Sequence, residues 1–438
     1  MLNRIRIFVA RTRDRFWLVP ATMVLVGVLG AVGLVNLDRS GVLPDWLLES
    51  AWLYNGGGTG ARTLLGVVAS SAIGVAGTVF SITIAALSLA AGQMGPRLLR
   101  NFTRDRGNQV TLGAFLGTFS YALMVLRSVR TQNEGDFVPH LSLSVGILLA
   151  FLCVATLVYF VNHMASRINV DTVIELVSSE MQDAITRLGS SEPSNAQMPW
   201  LAADGAGLVA QARRGYVSNV DAEALADWAA REKTVLRLLV RPGDYAFPGA
   251  PIAVCHPAVD DCDAVGSALD LRAERISADD IEYAVRQLVE VAVRALSPGI
   301  NDPHTAMSAL DRLGAALCDL VPLHLPDGLF QRDGRCVLVL PAVDYDGLTD
   351  AMFHLIRQNA AGSATVLIRM LEVLTAVASC ERDPVRLNAL QRHAALIVSD
   401  AQRNVATPSD LDDLRRRSER FTQMLIVGPL ALEIGAPS

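Results

Sequence analysis

The sequence predicts an α-helical integral membrane protein with four transmembrane helices. A cytoplasmic α+β region follows, first a small β-barrel or sandwich and then a helical bundle. Three observations carry this expectation. Long apolar stretches at about 16–35, 64–91, 110–126 and 141–161 all fall within residues 1–166. Mean hydropathy is +0.34, yet 19% of residues are charged, so apolar and charged character belong to different regions. Beyond residue 166 the apolar period first alternates as in strands and then follows the helical repeat.

The first span opens after Arg4, Arg6, Arg11, Arg13 and Arg15. Phe16 and Trp17 suit the interface, Pro20 is tolerated in a first turn, and about twenty helical residues cross one hydrocarbon core. The run is long and no small-residue cleavage site follows it, so no secretory signal is expected. Residues 36–62 form a polar connection, in which Leu43 to Tyr54 could lie along the membrane surface as an amphipathic helix. The second span carries no charge between Arg62 and Arg97. Gly113, Gly117 and Ser120 give the third span a repeated small-residue spacing, and the fourth is the most uniformly apolar. Arginine counts set the orientation. The N-terminal tail and the loop with Arg97, Arg100, Arg104 and Arg106 outweigh the connections holding Arg39 and Arg62, then Arg127 and Arg130. The positive-inside rule places both termini and the soluble region in the cytoplasm.

Residues 167–207 read as a connector, with an amphipathic helix over 170–189 and a Pro-containing link from Ser190 to Pro199. Residues 208–256 read as a small β domain with an inserted helix from Ala222 to Arg231. Arg241-Pro242-Gly243-Asp244 and Pro248-Gly249 mark sharp reversals. The stretch 257–438 reads as a helical domain, with Val337 to Leu340 a stray strand. Ser277 with Asp280, Asp302 with Pro303, and Thr407 with Pro408 and Asp410 signal helix starts.

Composition narrows function. A net charge of -6 argues against nucleic acid as a partner. Cys153, Cys255, Cys262, Cys318, Cys336 and Cys380 lack metal-ligand spacing and read as free thiols of a reducing compartment. The seven histidines form no HExxH or HxH grouping, and no P-loop or dinucleotide fingerprint occurs. No cofactor, metal site or catalytic site is therefore expected, and the chain does not read as an enzyme.

Two constellations remain. On the second span, Ser70, Gly74, Thr78, Ser81, Ala85, Ser88 and Gly92 fall along one side, with Val67, Ile73, Val75, Phe80, Ile82, Leu87 and Leu89 opposite. Such a stripe packs helices closely or lines a wet pathway. In the second case Gln93, Arg97 and Arg100 would ring the cytoplasmic mouth of a homo-oligomeric channel for ions or small solutes. The other constellation is a turn holding Arg294, Ser297, Asn301, Asp302 and His304. It reads as a helix end and a capped restart, or as a cradle for a small anionic ligand at a helix N-terminus. In that second case the chain would be a non-conducting sensor or scaffold. Upstream, Glu282, Arg286, Glu290 and Arg294 at four-residue spacing read as paired charges on a solvated or inter-subunit face.

The stretch from Phe80 through Gly92-Gln-Met-Gly-Pro-Arg97 to Phe102, with Arg286-Gln-Leu-Val and Arg294-Ala-Leu-Ser-Pro-Gly-Ile-Asn-Asp-Pro303, resembles the bacterial membrane-protein family called domain of unknown function 2254. The resemblance covers nearly the entire chain. It implies an integral protein of a bacterial membrane, by topology the inner one, and carries over no catalytic residue. Locally, Val240 to Ile252 is similar to the turn of biotinyl/lipoyl-type barrels, which implies shape without covalent attachment, since Lys233 is the sole lysine and lies outside that hairpin.

Overall fold

The computed structural model describes residues 16–40, 54, 56–94, 105–130, 137–190, 199, 204–273, 275 and 281–429. The chain divides into two compact units, Met1–Thr172 and Val173–Ser438.

In the first unit, α1 (Leu18–Ser40), α2 (Gly58–Met94), α3 (Arg106–Ser128) and α4 (His140–Ile168) are the long apolar helices. All four are long and apolar enough to cross a membrane. The third is the hub, packing against each of the other three. It is the least apolar span, with hydropathy 1.5, and the most enclosed, half buried where the others reach 17–22%. Lipid tails are as apolar as leucine, so no hydrophobic force gathers such helices. Polar and small residues take the interior instead, and Asn108, Gln109, Thr111 and Thr118 of α3 are buried.

Glycine sets the closest crossing. A Cβ built on Gly27 of α1 would stand 2.5 Å from the carbonyl oxygen of Gly117 in α3, and one on Gly117 would stand 3.0 Å from the Met23 carbonyl oxygen. The small-residue spacing of the third span therefore serves packing within the chain. Both ends of the bundle are tied by carboxylates. Asp38 accepts from the Leu141 and Ser142 amides at 3.1 and 3.0 Å and from the Ser142 hydroxyl at 2.6 Å, capping α4. At the other end Asp105 caps α3 through the Gly107 amide and pairs with His163 Nε2 at 2.8 Å. Most of the stretch Leu43 to Tyr54 lies outside the described residues.

The second unit begins in α5 (Val170–Leu188). Its strands are β1 (Gly207–Ala210), β2 (Gly215–Val220), β3 (Val235–Leu238), β4 (Tyr245–Ala246), β5 (Pro251–His256) and β6 (Leu269–Arg272), with α6 (Ala222–Arg231) and a short α7 (Asp263–Ser267) between them. Further on, β7 (Leu329–Arg332) and β8 (Arg335–Val339) form a hairpin. One sheet has the order β1-β5-β3-β8-β7, the other β4-β2-β6. The strands are not closed into a barrel, which corrects that alternative. Helix α6 supplies Leu225, Ala226, Trp228 and Ala229 to the core that also holds Leu236, Ile252 and Leu338. A helix covers the apolar surface that a closed sheet would cover with itself.

Val337 to Leu340 is no stray strand: most of it is β8, pairing in parallel with β3, with Leu236 opposite Leu338. Its hairpin turns on Asp333-Gly334, both at positive φ (51° and 73°), which is type I′ geometry. Helices α8 (Ile281–Ala295), α9 (Pro303–Leu320), α10 (Tyr345–Asn359), α11 (Ala364–Cys380), α12 (Pro384–Asn404) and α13 (Pro408–Val427) form the expected bundle. Asp302, Asp344 and Asp383 cap α9, α10 and α12 with their side chains, whereas Thr407 precedes α13 without a side-chain cap bond. Ser277 and Asp280 lie outside the described residues. Helix α5 lies along α9, with Glu175 to Arg312 at 3.0 Å and Gln182 to Asp319 at 3.1 Å.

Candidate functional site

Helix α2 presents three kinds of surface. Ala61, Leu65, Ala69, Ala72, Ala76, Val79 and Ala86 are buried against the rest of the bundle. At 100° per residue, Ser70, Gly74, Thr78, Ser81, Ser88 and Gly92 centre about 180° from that face, and all six are exposed. Large apolar side chains flank them rather than standing opposite, with Ile73, Phe80 and Ile84 on one side and Ile82 and Leu89 on the other, all exposed, while Val67 falls within the stripe itself. A Cβ on Gly74 or Gly77 would meet nothing within 4 Å. The stripe is thus a shallow channel of small residues between two apolar ridges, on the side of α2 that its own chain does not use.

Three of its four hydroxyls turn inward to the helix. Ser70 donates to the Gly66 carbonyl, Thr78 to Gly74 at 3.2 Å, and Ser81 to Gly77 at 2.9 Å. Each bonds the carbonyl four residues back, so none requires water or a second protein to satisfy its donor. At the expected mouth, Arg97, Arg100 and the side chain of Gln93 lie outside the described residues.

The turn before α9 is compact. Ser297 donates its hydroxyl to the Arg294 carbonyl at 2.6 Å, and its own carbonyl accepts from the Ile300 and Asn301 amides at 3.0 and 2.8 Å. Asn301 takes a positive φ of 50°. Asp302 accepts the amides of His304 and Thr305, both at 3.1 Å, and the Thr305 hydroxyl at 2.7 Å. The Thr305 hydroxyl lowers this carboxyl most; burial opposes it, and the Thr305 and His304 backbone bonds tip the balance so that it stays below its ordinary value. A carboxylate of the chain itself therefore occupies the two amides an anionic ligand would seek. Arg294 faces Glu290 at 3.7 Å, and His304 is exposed.

Two groupings escaped the sequence reading. Glu282 is not on a solvated face. It is buried and bonded by Arg286 and by Arg241, each at 2.9 Å or less, joining α8 to the turn after β3. Burial pushes its carboxyl up, but the Arg286 bond and the charge and bond of Arg241 outweigh this and leave it lowered. The second grouping is Asp350 and His354 of α10 with His393 of α12, whose potential ligand atoms all lie within 4.8 Å of one another. Asp350 and His354 are one helical turn apart, a spacing visible in the sequence but outside the HExxH and HxH patterns. His393 joins them only through helix pairing. Burial, then the charges of Arg392 and His354, lower the His393 imidazole to about 4, so it is neutral at pH 7.

The family model described as "Predicted membrane protein (DUF2254)" matches residues 13–376, from before α1 into α11. The chain belongs to this family. Among its relatives are "Uncharacterized protein Rv1290c" of Mycobacterium tuberculosis (strain ATCC 25618 / H37Rv) and "Uncharacterized protein Mb1321c" of Mycobacterium bovis (strain ATCC BAA-935 / AF2122/97). Each is 32% identical over 440 residues, covering 97% of this chain and 83% of the relative. No solved structure matches. Membership in DUF2254 makes the chain a membrane protein whose four apolar helices contact lipid.

Proposed function

We propose that the chain acts as a homo-oligomer in a bacterial inner membrane, with both termini cytoplasmic. Its α2 stripes face a shared axis and line a pathway for ions or small solutes, gated by the cytoplasmic unit. One contrast supports this reading. The glycines of α1 and α3 meet backbone to backbone inside the chain, whereas Gly74 and Gly77 of α2 have open space where a side chain would be. Glycine in a helix costs roughly 1 kcal/mol relative to alanine, and the lipid-facing ridges beside it are already large and apolar. A row of small residues between them suits a second copy of α2 or a narrow lumen.

A second reading has its own support. Since the Ser70, Thr78 and Ser81 hydroxyls bond their own helix, dry helix-to-helix packing satisfies them as well as water does. In that case the assembly is a non-conducting sensor or scaffold. Neither reading invokes catalysis. Light scattering of the detergent-solubilised chain tests what both share: a mass of several chains that falls to one chain in Gly74→Leu. A wild-type chain that is monomeric in mild detergent and in membranes overturns the assembly. Current through planar bilayers containing the protein then separates pathway from scaffold.

A further inference from the structure

We propose that Asp350, His354 and His393 form a binding site for a divalent transition metal of the Zn²⁺ class, joining α10 to α12. The ligand set is two imidazoles and one carboxylate, a combination of borderline donors suited to Zn²⁺ and its first-row neighbours.

Distances place the three groups around a common point. Asp350 Oδ1 lies 3.0 Å from His354 Nε2 and 3.1 Å from His393 Nε2. Ligand atoms at about 2.0–2.1 Å from a tetrahedral Zn²⁺ stand about 3.3 Å apart, which the two Asp350 separations approach, and the two imidazoles, with ligand atoms within 4.8 Å of each other, close on the metal by side-chain rotation. A second observation points the same way. His393 is 0% exposed, and neither of its ring nitrogens makes a hydrogen bond despite the nearby carboxylate. A buried imidazole with both nitrogens unsatisfied is costly, and a metal on one lone pair would answer the cost. His354 Nδ1 is likewise buried without a hydrogen-bond partner.

The side chains of His354 and Asp350 are 33% and 38% exposed, so solvent reaches one side of the cluster and water can supply a fourth ligand. One neighbouring group competes. Arg392 Nη2 lies 2.6 Å from the same Asp350 oxygen and 3.2 Å from Asp346. Its guanidinium is a fixed positive charge beside the cation site, so metal must share the carboxylate with it or displace it towards Asp346. The site therefore has a built-in antagonist, and removing that charge strengthens binding.

The test uses the full chain in detergent, carrying a purification tag without histidine. Zn²⁺ is titrated in competition with a chromophoric chelator, and Co²⁺ absorption reports the donor atoms. The expected result is one Zn²⁺ per chain and a Co²⁺ spectrum without thiolate charge-transfer bands. His354→Gln and Asp350→Asn, both at partly exposed positions, should weaken binding at least tenfold while circular dichroism stays unchanged. Arg392→Gln should bind more tightly than wild type, and weaker binding in that variant would count against the proposal. Absence of stoichiometric Zn²⁺ binding, equal affinity in His354→Gln and Asp350→Asn, or thiolate bands showing the metal on cysteine would each overturn the proposal.

Discussion

Replacing Gly27 with alanine would drive a methyl group into the backbone of α3. The new Cβ would stand 2.5 Å from the Gly117 carbonyl oxygen, where ordinary van der Waals contact begins near 3.4 Å. The obstacle is backbone, so no rotamer change relieves it and the two helices must separate by several tenths of an ångström. Overpacking of this kind costs about 1–3 kcal/mol, and the backbone partner puts Gly27→Ala near the upper end. Gly74→Ala is the control, since its Cβ meets nothing within 4 Å. Its helix propensity should improve by roughly 1 kcal/mol. The two substitutions are chemically identical and share the propensity gain, so the expected spread between them is the overpacking cost alone, about 2–3 kcal/mol. Protease resistance of the bundle across a denaturant series, in a detergent that holds single chains, measures the difference without interference from assembly. Equal resistance in the two variants would refute the assignment of one glycine surface to the interior and the other to the outside.

Two further outcomes follow from the second unit. The lowered carboxyl of Glu282 contributes stability above its unfolded value near 4.5, and this is lost as pH falls through the folded value below that. Glu282→Gln should therefore cost about 2 kcal/mol at pH 7, after discounting for the partly exposed arginines. The gap between variant and wild-type urea midpoints should narrow at pH 3, and a constant gap would contradict the ion-pair account. Asp302→Ala removes the acceptor of two amides and a hydroxyl at the start of α9, and should lower the thermal midpoint by an amount corresponding to about 1–2 kcal/mol.

The four spans were legible because lipid imposes long apolar runs, although α2 extends to Gly58–Met94 beyond the apolar stretch 64–91. Helical hydrogen bonding does not stop where hydropathy does. Strands β1 to β5 showed in their alternation. The parallel pairing of β3 with β8 did not, because partners such as Leu236 and Leu338 are distant in sequence and leave no local trace. The Asp333-Gly334 pair is a local hairpin signal for β7 and β8 that the expectation of a stray strand over Val337 to Leu340 passed over. Direction was the hardest property to see on α2. Its alanine face and its Ser/Gly stripe are both small, and only the positions of α3 and α4 decide which is buried. The charge row of α8 misled for a related reason: four-residue spacing looks solvated until Arg241 arrives from a distant turn to bury Glu282.

A wet wall between copies, formed by the outward stripe of α2, would be reached by water-soluble reagents along its length. In a background lacking the six native cysteines, single cysteines at Ser70, Thr78, Ser81 and Ser88 would be exposed to a membrane-impermeant thiol reagent in native vesicles. Ile73, Phe80 and Ile82 on the flanking ridges serve as comparison. The account predicts labelling along the stripe and none on the ridges. A stripe that stays unlabelled, or ridges that label equally, would contradict it.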